Sequence, residues 1–259
     1  MNKLISIDIF ADFGMLKKPD TNEPVYLTFN MLHKPALLGI LGAIIGESGF
    51  KTKGVLPDYY LKLIDLKIGI QPLNHEHGNY QKTIITYNNT TGMASQEQGG
   101  NLMITEQTLV APAYRCYFLF DLENEIHQNA DENLSKYYAE YLPYLGKNEF
   151  SVWWKNYTIY DFSEFEANDV FKISSIYIKD SPLKDSKTIQ DYDPFFDEKL
   201  EGNTFSYFER LPIGYTDIGK KTYQYEYRNF AFTDWSLELK TKNSNLLLNI
   251  NNDTIIQVF

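Results

Sequence analysis

His33 and Lys34 stand directly ahead of the run PALLGILGAIIG, and the glycines that follow, Gly39, Gly42, Gly46 and Gly49, recur at spacings of three, four and three. That spacing puts all four on one face of an α-helix, with Pro35 suited to its first turn. A helix start attracts phosphate through its unpaired N–H groups and its dipole, so a histidine and a lysine at this point form an anion-binding arrangement. Each glycine costs a helix up to about 1 kcal/mol relative to alanine. Close packing of the helix on its own sheet would justify that cost. So would close approach of another chain or of a nucleic-acid backbone. The pair Gly39-x-x-Gly42 also matches the backbone clamp of some RNA-binding loops, here in a helical context. Gly42-x-x-x-Gly46 matches a membrane-dimer spacing, but the apolar run from Ala36 to Ile45 is too short to cross a bilayer.

Other reactive residue types are sparse. The four histidines are His33, His75, His77 and His127. His75 and His77 share a face if their segment is extended, with Glu76 between them, but no third metal ligand is evident. No metal and no cofactor are expected, since phosphate-binding loops, dinucleotide fingerprints and Cys-x-x-Cys pairs are all missing from the sequence. The lone cysteine, Cys116, excludes an intramolecular disulfide and fits a reducing, cytoplasmic setting. The N-terminal residues carry no signal-peptide hydrophobic block, and no membrane segment is expected.

The charge is −10, which argues against unspecific binding to nucleic acid. It is uneven, however: residues 1–70 hold eight lysines against seven acids, and the remainder holds 16 basic and 27 acidic residues. A phosphate-binding surface therefore belongs in the first third. Aromatics reach 15%, with 20 tyrosines and 17 phenylalanines. These line strands in a β-rich core or stack on bases.

Positioning such groups requires a scaffold. Alternation marks strands at 3–11, 63–70 and 114–121, with a short extended piece at 25–29 and a fourth strand at 150–154. The glycine-striped helix runs to about Ile45, and a second helix is expected over 130–142, with acids in its first turn. Strand, helix, strand, strand, helix, strand is the ferredoxin-like or RNA-recognition plan, so the fold class is α+β. A simple hairpin should join the second and third strands, yet residues 72–113 intervene. The threonine- and isoleucine-rich arms 82–87 and 101–110 around the soft tip 88–100 predict a long projecting β-hairpin. Beyond residue 155 the pattern is strands only, with an Asn-Asn-Asp turn signal near the end and a surface loop expected over 180–201. Residues 1–155 are thus expected to form an RRM-like domain with a thumb insertion at about 72–113, and 156–259 a β-rich C-terminal region.

The series KPALLGILGAIIG, KIGIQPLN, TLVAPAYRCYF and YLGKNEF, following the N-terminal strand and its extended piece, resembles CRISPR-associated protein family five, in the repeat-associated RNA-binding superfamily. The spelling is most similar to type I-B members, and the resemblance covers residues 1–155 best. It implies a cytoplasmic subunit of a Cascade complex in antiviral defence. Such a subunit caps a filament of backbone subunits, holds the five-prime handle of the guide crRNA, and lies near the large subunit, so that target DNA is met only indirectly. It implies a ferredoxin-like fold with a thumb.

From the matching motifs, the expected RNA-binding residues are His33, Lys34, Tyr114, Arg115, Lys147 and Asn148. Lys82, Gln107 and Thr108 are expected contacts in the thumb, and Lys17 and Lys18 form a second basic pair. No catalytic residue is expected. Some type I-C relatives cut the repeat RNA with a tyrosine, a lysine and a histidine, so the alternative is a metal-independent endoribonuclease, for which His33 beside Lys34 is the best catalytic candidate.

Overall fold

The first strand sets the layering. In NKLISIDIF, Ile5, Ile7 and Ile9 point into one core, while Leu4, Ser6 and Asp8 occupy the other sheet face. The computed structural model describes residues 2–19, 25–89, 102–165, 171–179, 183–185, 205–239 and 247–259. Its elements, in chain order, are β1 (Asn2–Phe10), β2 (Phe13–Gly14), α1 (Lys34–Ile45), α2 (Asp58–Leu63), β3 (Lys67–Leu73), β4 (Lys82–Asn89), β5 (Leu102–Val110), β6 (Ala113–Asp121), α3 (Glu125–Ser135), β7 (Trp153–Tyr160) and β8 (Phe162–Glu164). There follow β9 (Tyr177–Ile178), β10 (Leu183–Asp185), β11 (Ser206–Asp217), β12 (Tyr223–Thr233), β13 (Leu237–Leu239), β14 (Leu247–Ile250) and β15 (Thr254–Gln257).

The central sheet has the order β3-β6-β1-β7, and every neighbouring pair is antiparallel. Helices α1 and α3 pack on the Ile5–Ile7–Ile9 face, where Leu37, Leu38, Leu41, Ile44, Ala130 and Leu134 are buried in one cluster. Part of the opposite face, around Leu4 and Tyr117, is covered by β14 and β15 through Leu248, Ile250 and Ile256. The long β11–β12 hairpin packs beside α1, and its Leu211, Phe230 and Phe232 join the main core. The architecture is α+β with mostly antiparallel sheets.

Helix α1 starts and stops as its residues dictate. His33 caps it by accepting the Ala36 N–H on Nδ1, and Pro35 stands in the first turn. Gly46 ends it at φ 79°, a left-handed position that donates back to the Ala43 and Gly42 carbonyls. Strands β4 and β5 pair in register from Lys82 with Leu109 to Asn89 with Leu102, so the two expected arms form a hairpin. Most of its tip, 90–101, lies outside the described residues, as does most of the acidic stretch 180–201.

Four expectations need correction. The strand expected at 63–70 occupies 67–73, and Leu63 instead closes a short helix, α2, over 58–63. Asp58 in the first turn and Lys62 in the last suit that helix. The second helix runs 125–135, not 130–142, because Asn124 accepts the Ile126 and His127 N–H groups as its cap; Tyr137, at φ 54°, lies just past its end. The fourth strand is shifted to 153–160. Finally, the glycine face of α1 meets α2 rather than the sheet, with Gly42 against Tyr59. The Asn-Asn turn behaves as expected, with Asn251 and Asn252 at φ 52° and 59° between β14 and β15.

Candidate nucleic-acid interface

A groove of about 680 Å³ runs along the small-residue face of α1. Ala36, Gly39 and Ala43 recur at helical spacing, remain half-buried, and line it together with Ile40. With so little side chain on that face, the surrounding walls decide its chemistry, and they are largely tyrosine. Tyr59 comes from α2, Tyr215 and Tyr225 from the β11–β12 hairpin, and Tyr141 and Tyr144 from the loop after α3. Tyr26 and Tyr87 line the end nearest the β4–β5 hairpin.

The walls are ordered by ring packing. Tyr215 stacks on Tyr225 at 5.0 Å with an interplanar angle of 24°, and Tyr60 meets Tyr215 edge-on at 4.9 Å. The Tyr60 hydroxyl accepts the Tyr215 N–H at 2.9 Å, which ties α2 to the hairpin. Burial raises the Tyr59 hydroxyl to about 12 and also raises Tyr215 and Tyr225. These phenols therefore stay neutral and can both donate and accept hydrogen bonds.

Two lysines reach the groove. Lys17 is exposed and sits 3.7 Å from the centre of the Tyr26 ring. Lys147 is held: its Nζ donates to Glu106 Oε1 at 2.7 Å, Glu106 Oε2 at 2.5 Å and the Tyr87 hydroxyl at 2.7 Å. Burial pulls its pKa down, but the bonds to Glu106 and Tyr87 and the carboxylate charge outweigh that, and the net shift is upward. Glu106 is only 2% exposed, so Lys147 neutralises a buried carboxylate. The other groove carboxylate, Glu47, accepts from Lys62 at 2.7 Å. Both acids on the groove are thus paired.

The expected site residues separate into three groups. Lys17, His33 and Lys147 line the groove, and Asn148 is exposed in the adjoining turn. That turn requires Gly146, at φ 84°, where a Cβ would collide with the Met15 carbonyl. His33, however, is buried. Its Nδ1 accepts from the helix, and burial drops its pKa to about 3, so it is a neutral cap and not a cation for phosphate. With Nδ1 an acceptor, Nε2 carries the proton, which leaves no lone pair for a general base.

A second group converges on Asn30, in the segment that leads into α1. Tyr114 is fully buried and donates to the Asn30 carbonyl at 2.7 Å. Lys82 donates to Asn30 Oδ1 at 3.0 Å, and burial lowers its pKa. Lys18 pairs with Glu209 at 3.2 Å, and that carboxylate accepts the Asn30 and Met31 N–H groups. These residues form a clamp beneath the helix start. In the hairpin, Gln107 donates its backbone N–H to Tyr26 at 2.8 Å. The Thr108 hydroxyl is buried and has no hydrogen-bond partner among the described residues.

The third group lies elsewhere. Lys34 is 8% exposed, donates to the Phe259 carbonyl at 3.2 Å, and has its pKa lowered to about 8, chiefly by burial. Arg115 grips Asp8 through Nε at 2.6 Å and Nη2 at 2.9 Å on the sheet face away from the helices. His75, at the base of the hairpin, accepts the Gly78 N–H on Nδ1 and packs edge-on against Phe232. No cluster of three or more histidine, cysteine or acidic side chains suited to a metal occurs among the described residues. No helix among them is long and apolar enough to cross a membrane.

The groove tyrosines escaped sequence reasoning. One usable signal was the alternation Tyr223, Tyr225, Tyr227 in TYQYEYR, which places three rings on one face of a strand.

No family model matches the chain, and no curated protein matches it. Among solved structures the chain is similar to a CRISPR protein from Archaeoglobus fulgidus, at 11% identity over 100% of this chain and 98% of that one, with a TM-score of 0.51. It is also similar to a chain of a CRISPR RNA-guided surveillance complex, at 10% identity over 93% and 92% of the two chains with a TM-score of 0.48. A third similar chain comes from a type III-B Cmr-β complex bound to cognate target RNA and AMPPnP, at 11% identity, 98% and 99% coverage and a TM-score of 0.42. The likeness to the first is one of fold.

Proposed function

We propose that this protein is an RNA-binding subunit of a CRISPR effector complex, of the family-five kind, and that it holds the five-prime handle of a guide crRNA in the groove along α1. The observation that carries the proposal is the groove itself: small residues on the helix, neutral tyrosines on the walls, and Lys17 over the Tyr26 ring. Single-stranded RNA is recognised by stacking unpaired bases on aromatic rings while cations track the phosphates. Here Tyr59, Tyr215 and Tyr225 offer the stacking and hydrogen-bonding surface. Lys17 and Asn148 face the backbone, while Lys147 neutralises the buried Glu106 at the groove's end.

The order β-α-β-β-α-β with sheet order β3-β6-β1-β7 supports a ferredoxin-like reading of the head. The β4–β5 hairpin supports the thumb. The fold shared with the Archaeoglobus fulgidus CRISPR protein supports the family. On this reading the partners are the crRNA handle, the backbone subunits and the large subunit, in a type I-B complex.

The role is non-catalytic. A nuclease needs a base for the 2′-hydroxyl, and the best candidate, His33, has its Nδ1 committed to the helix. Co-expression with backbone subunits should bring guide RNA through purification, and purified protein should leave labelled repeat RNA intact in EDTA. If EDTA-resistant cleavage occurs and His33→Ala abolishes it, the endoribonuclease reading replaces this one.

A further inference from the structure

The central sheet has a second face, and only part of it is covered. Strands β14 and β15 pack over Leu4 and Tyr117, while towards the other end of this face Phe10 is half-buried and Trp153 exposed. There Phe10 and Trp153 lie opposite each other in register, with rings 6.3 Å apart and 18° from parallel. Trp153 is 40% exposed, although a ring of that size is normally kept from water. It sits on an edge strand, so it can be approached from the side as well as from above.

One row further along the sheet, Arg115 faces Asp8 in β1, and Lys155 lies opposite Asp8 in β7. Asp8 is 3% exposed and accepts from Arg115 Nε and Nη2 and from Asn156 Nδ2, so its charge and orientation are fixed by three donors. Lys155 is exposed. The row therefore holds two cations and one carboxylate, a local positive excess on a chain whose total charge is −10.

The geometry points to a second nucleotide subsite on this sheet face, in which one unstacked base of a single-stranded RNA lies on Trp153 and Phe10 while Lys155 meets the adjoining phosphate. The occupant follows from size and charge. A single aromatic pair offers far less than the roughly 800 Å² per partner that a stable protein interface buries. It matches one base, because stacking on an aromatic ring needs only a π-face and contributes sequence-tolerant affinity. The flanking excess of cations complements a phosphate. This surface is on the opposite side of the sheet from α1, so it adds to the groove instead of restating it; the choice of RNA as ligand rests on the proposed function.

The test uses the full chain and a fluorescein-labelled oligo-uridine RNA of about 12 nucleotides, read by anisotropy, with a 4-thiouridine version for photo-crosslinking. Trp153→Ala should weaken binding roughly ten-fold, and Trp153→Phe should recover most of it. Lys155→Ala should lower the slope of log affinity against log salt by about 0.7. Crosslinks should map to the 150–160 peptide. Tyr225→Ala, run in parallel, reports on the groove alone. If Trp153→Ala binds within two-fold of the parent and crosslinks fall only on groove tyrosines, the sheet subsite is wrong and the groove reading stands. A Trp153→Phe variant as weak as Trp153→Ala also overturns the stacking role. If the parent does not bind the RNA at all, both readings fail.

Discussion

Gly42 and Tyr59 meet so closely that a Cβ built on the glycine would lie 2.5 Å from the Tyr59 Cβ. No flexible end can swing away there; the α2 backbone itself would have to move. Gly39, one turn earlier, is different: its added Cβ would meet the hydroxyl end of Tyr59 at an ordinary 3.7–3.9 Å. Gly42→Ala should therefore cost about 1–3 kcal/mol through overpacking, reduced by the gain in helix propensity. Gly39→Ala should leave stability within about 1 kcal/mol of the parent, on the stabilising side. Urea unfolding of both variants checks this, and equal effects would remove the packing account of Gly42.

Lys147 is bound to the chain by a buried charge. Removing it leaves the Glu106 carboxyl group, at 2% exposure, without its cation. Lys147→Ala should accordingly lose about 3–5 kcal/mol, an effect that would masquerade as lost RNA binding if stability were not measured. Glu106→Gln combined with Lys147→Ala should recover much of the loss, since no buried charge then remains. A double variant no more stable than Lys147→Ala would show that the pair is not what holds this corner together.

His33 makes stability depend on pH in a definite direction. Its pKa falls from 6.5 unfolded to about 3 folded. Between those values the unfolded chain binds the proton and the folded chain does not, so stability drops as pH falls. The slope from this one residue approaches 1.4 kcal/mol per pH unit below pH 6.5. Asparagine is a good N-cap that does not titrate. His33→Asn should thus show a shallower loss than the parent between pH 6.5 and 4 in chemical denaturation, although His75 and His127, also shifted downward by burial, keep part of the slope. Identical slopes would mean that His33 titrates normally.

Lys34 is expected to behave as a structural residue. Burial lowers its pKa to about 8, so at neutral pH a charged amine is held where solvation is poor. Lys34→Met, which keeps the length and discards the charge, should be neutral or stabilising, with RNA affinity unchanged. A loss of RNA affinity at high salt, with a normal melting temperature, would return Lys34 to the binding surface.

The scaffold was largely legible because its signals are local. The alternation in LISIDIF, the Pro35 start and the Gly46 stop of α1, and the Asn251–Asn252 turn each determine their own geometry. Boundaries slipped where a polar residue decided them: Asn124 moved a helix start several residues upstream, and the helix that Asp58 opens takes Leu63 out of the strand expected at 63–70. The binding surface was less legible because it is assembled from distant pieces. Lys17 and Lys147 were visible as lone cations, but Glu106, which holds Lys147, is separated from it by 41 residues. Tyr59, Tyr215 and Tyr225 come from three different elements. Lys18, Lys82 and Tyr114 looked like surface contacts, yet all three serve Asn30 or its partner Glu209. Nothing local distinguishes a lysine that meets RNA from one that holds a loop.

The most direct test of the groove is to fill it without disturbing the fold. Gly39→Leu places a side chain over the small-residue face of α1, where an added Cβ comes no nearer than 3.7 Å to Tyr59, its nearest neighbour. Titrating the full chain against a fluorescein-labelled single-stranded RNA, with thermal melts in parallel, should show an unchanged melting temperature and at least a ten-fold weaker affinity. Parent-like affinity in a folded Gly39→Leu variant would contradict the central claim that RNA lies along this helix.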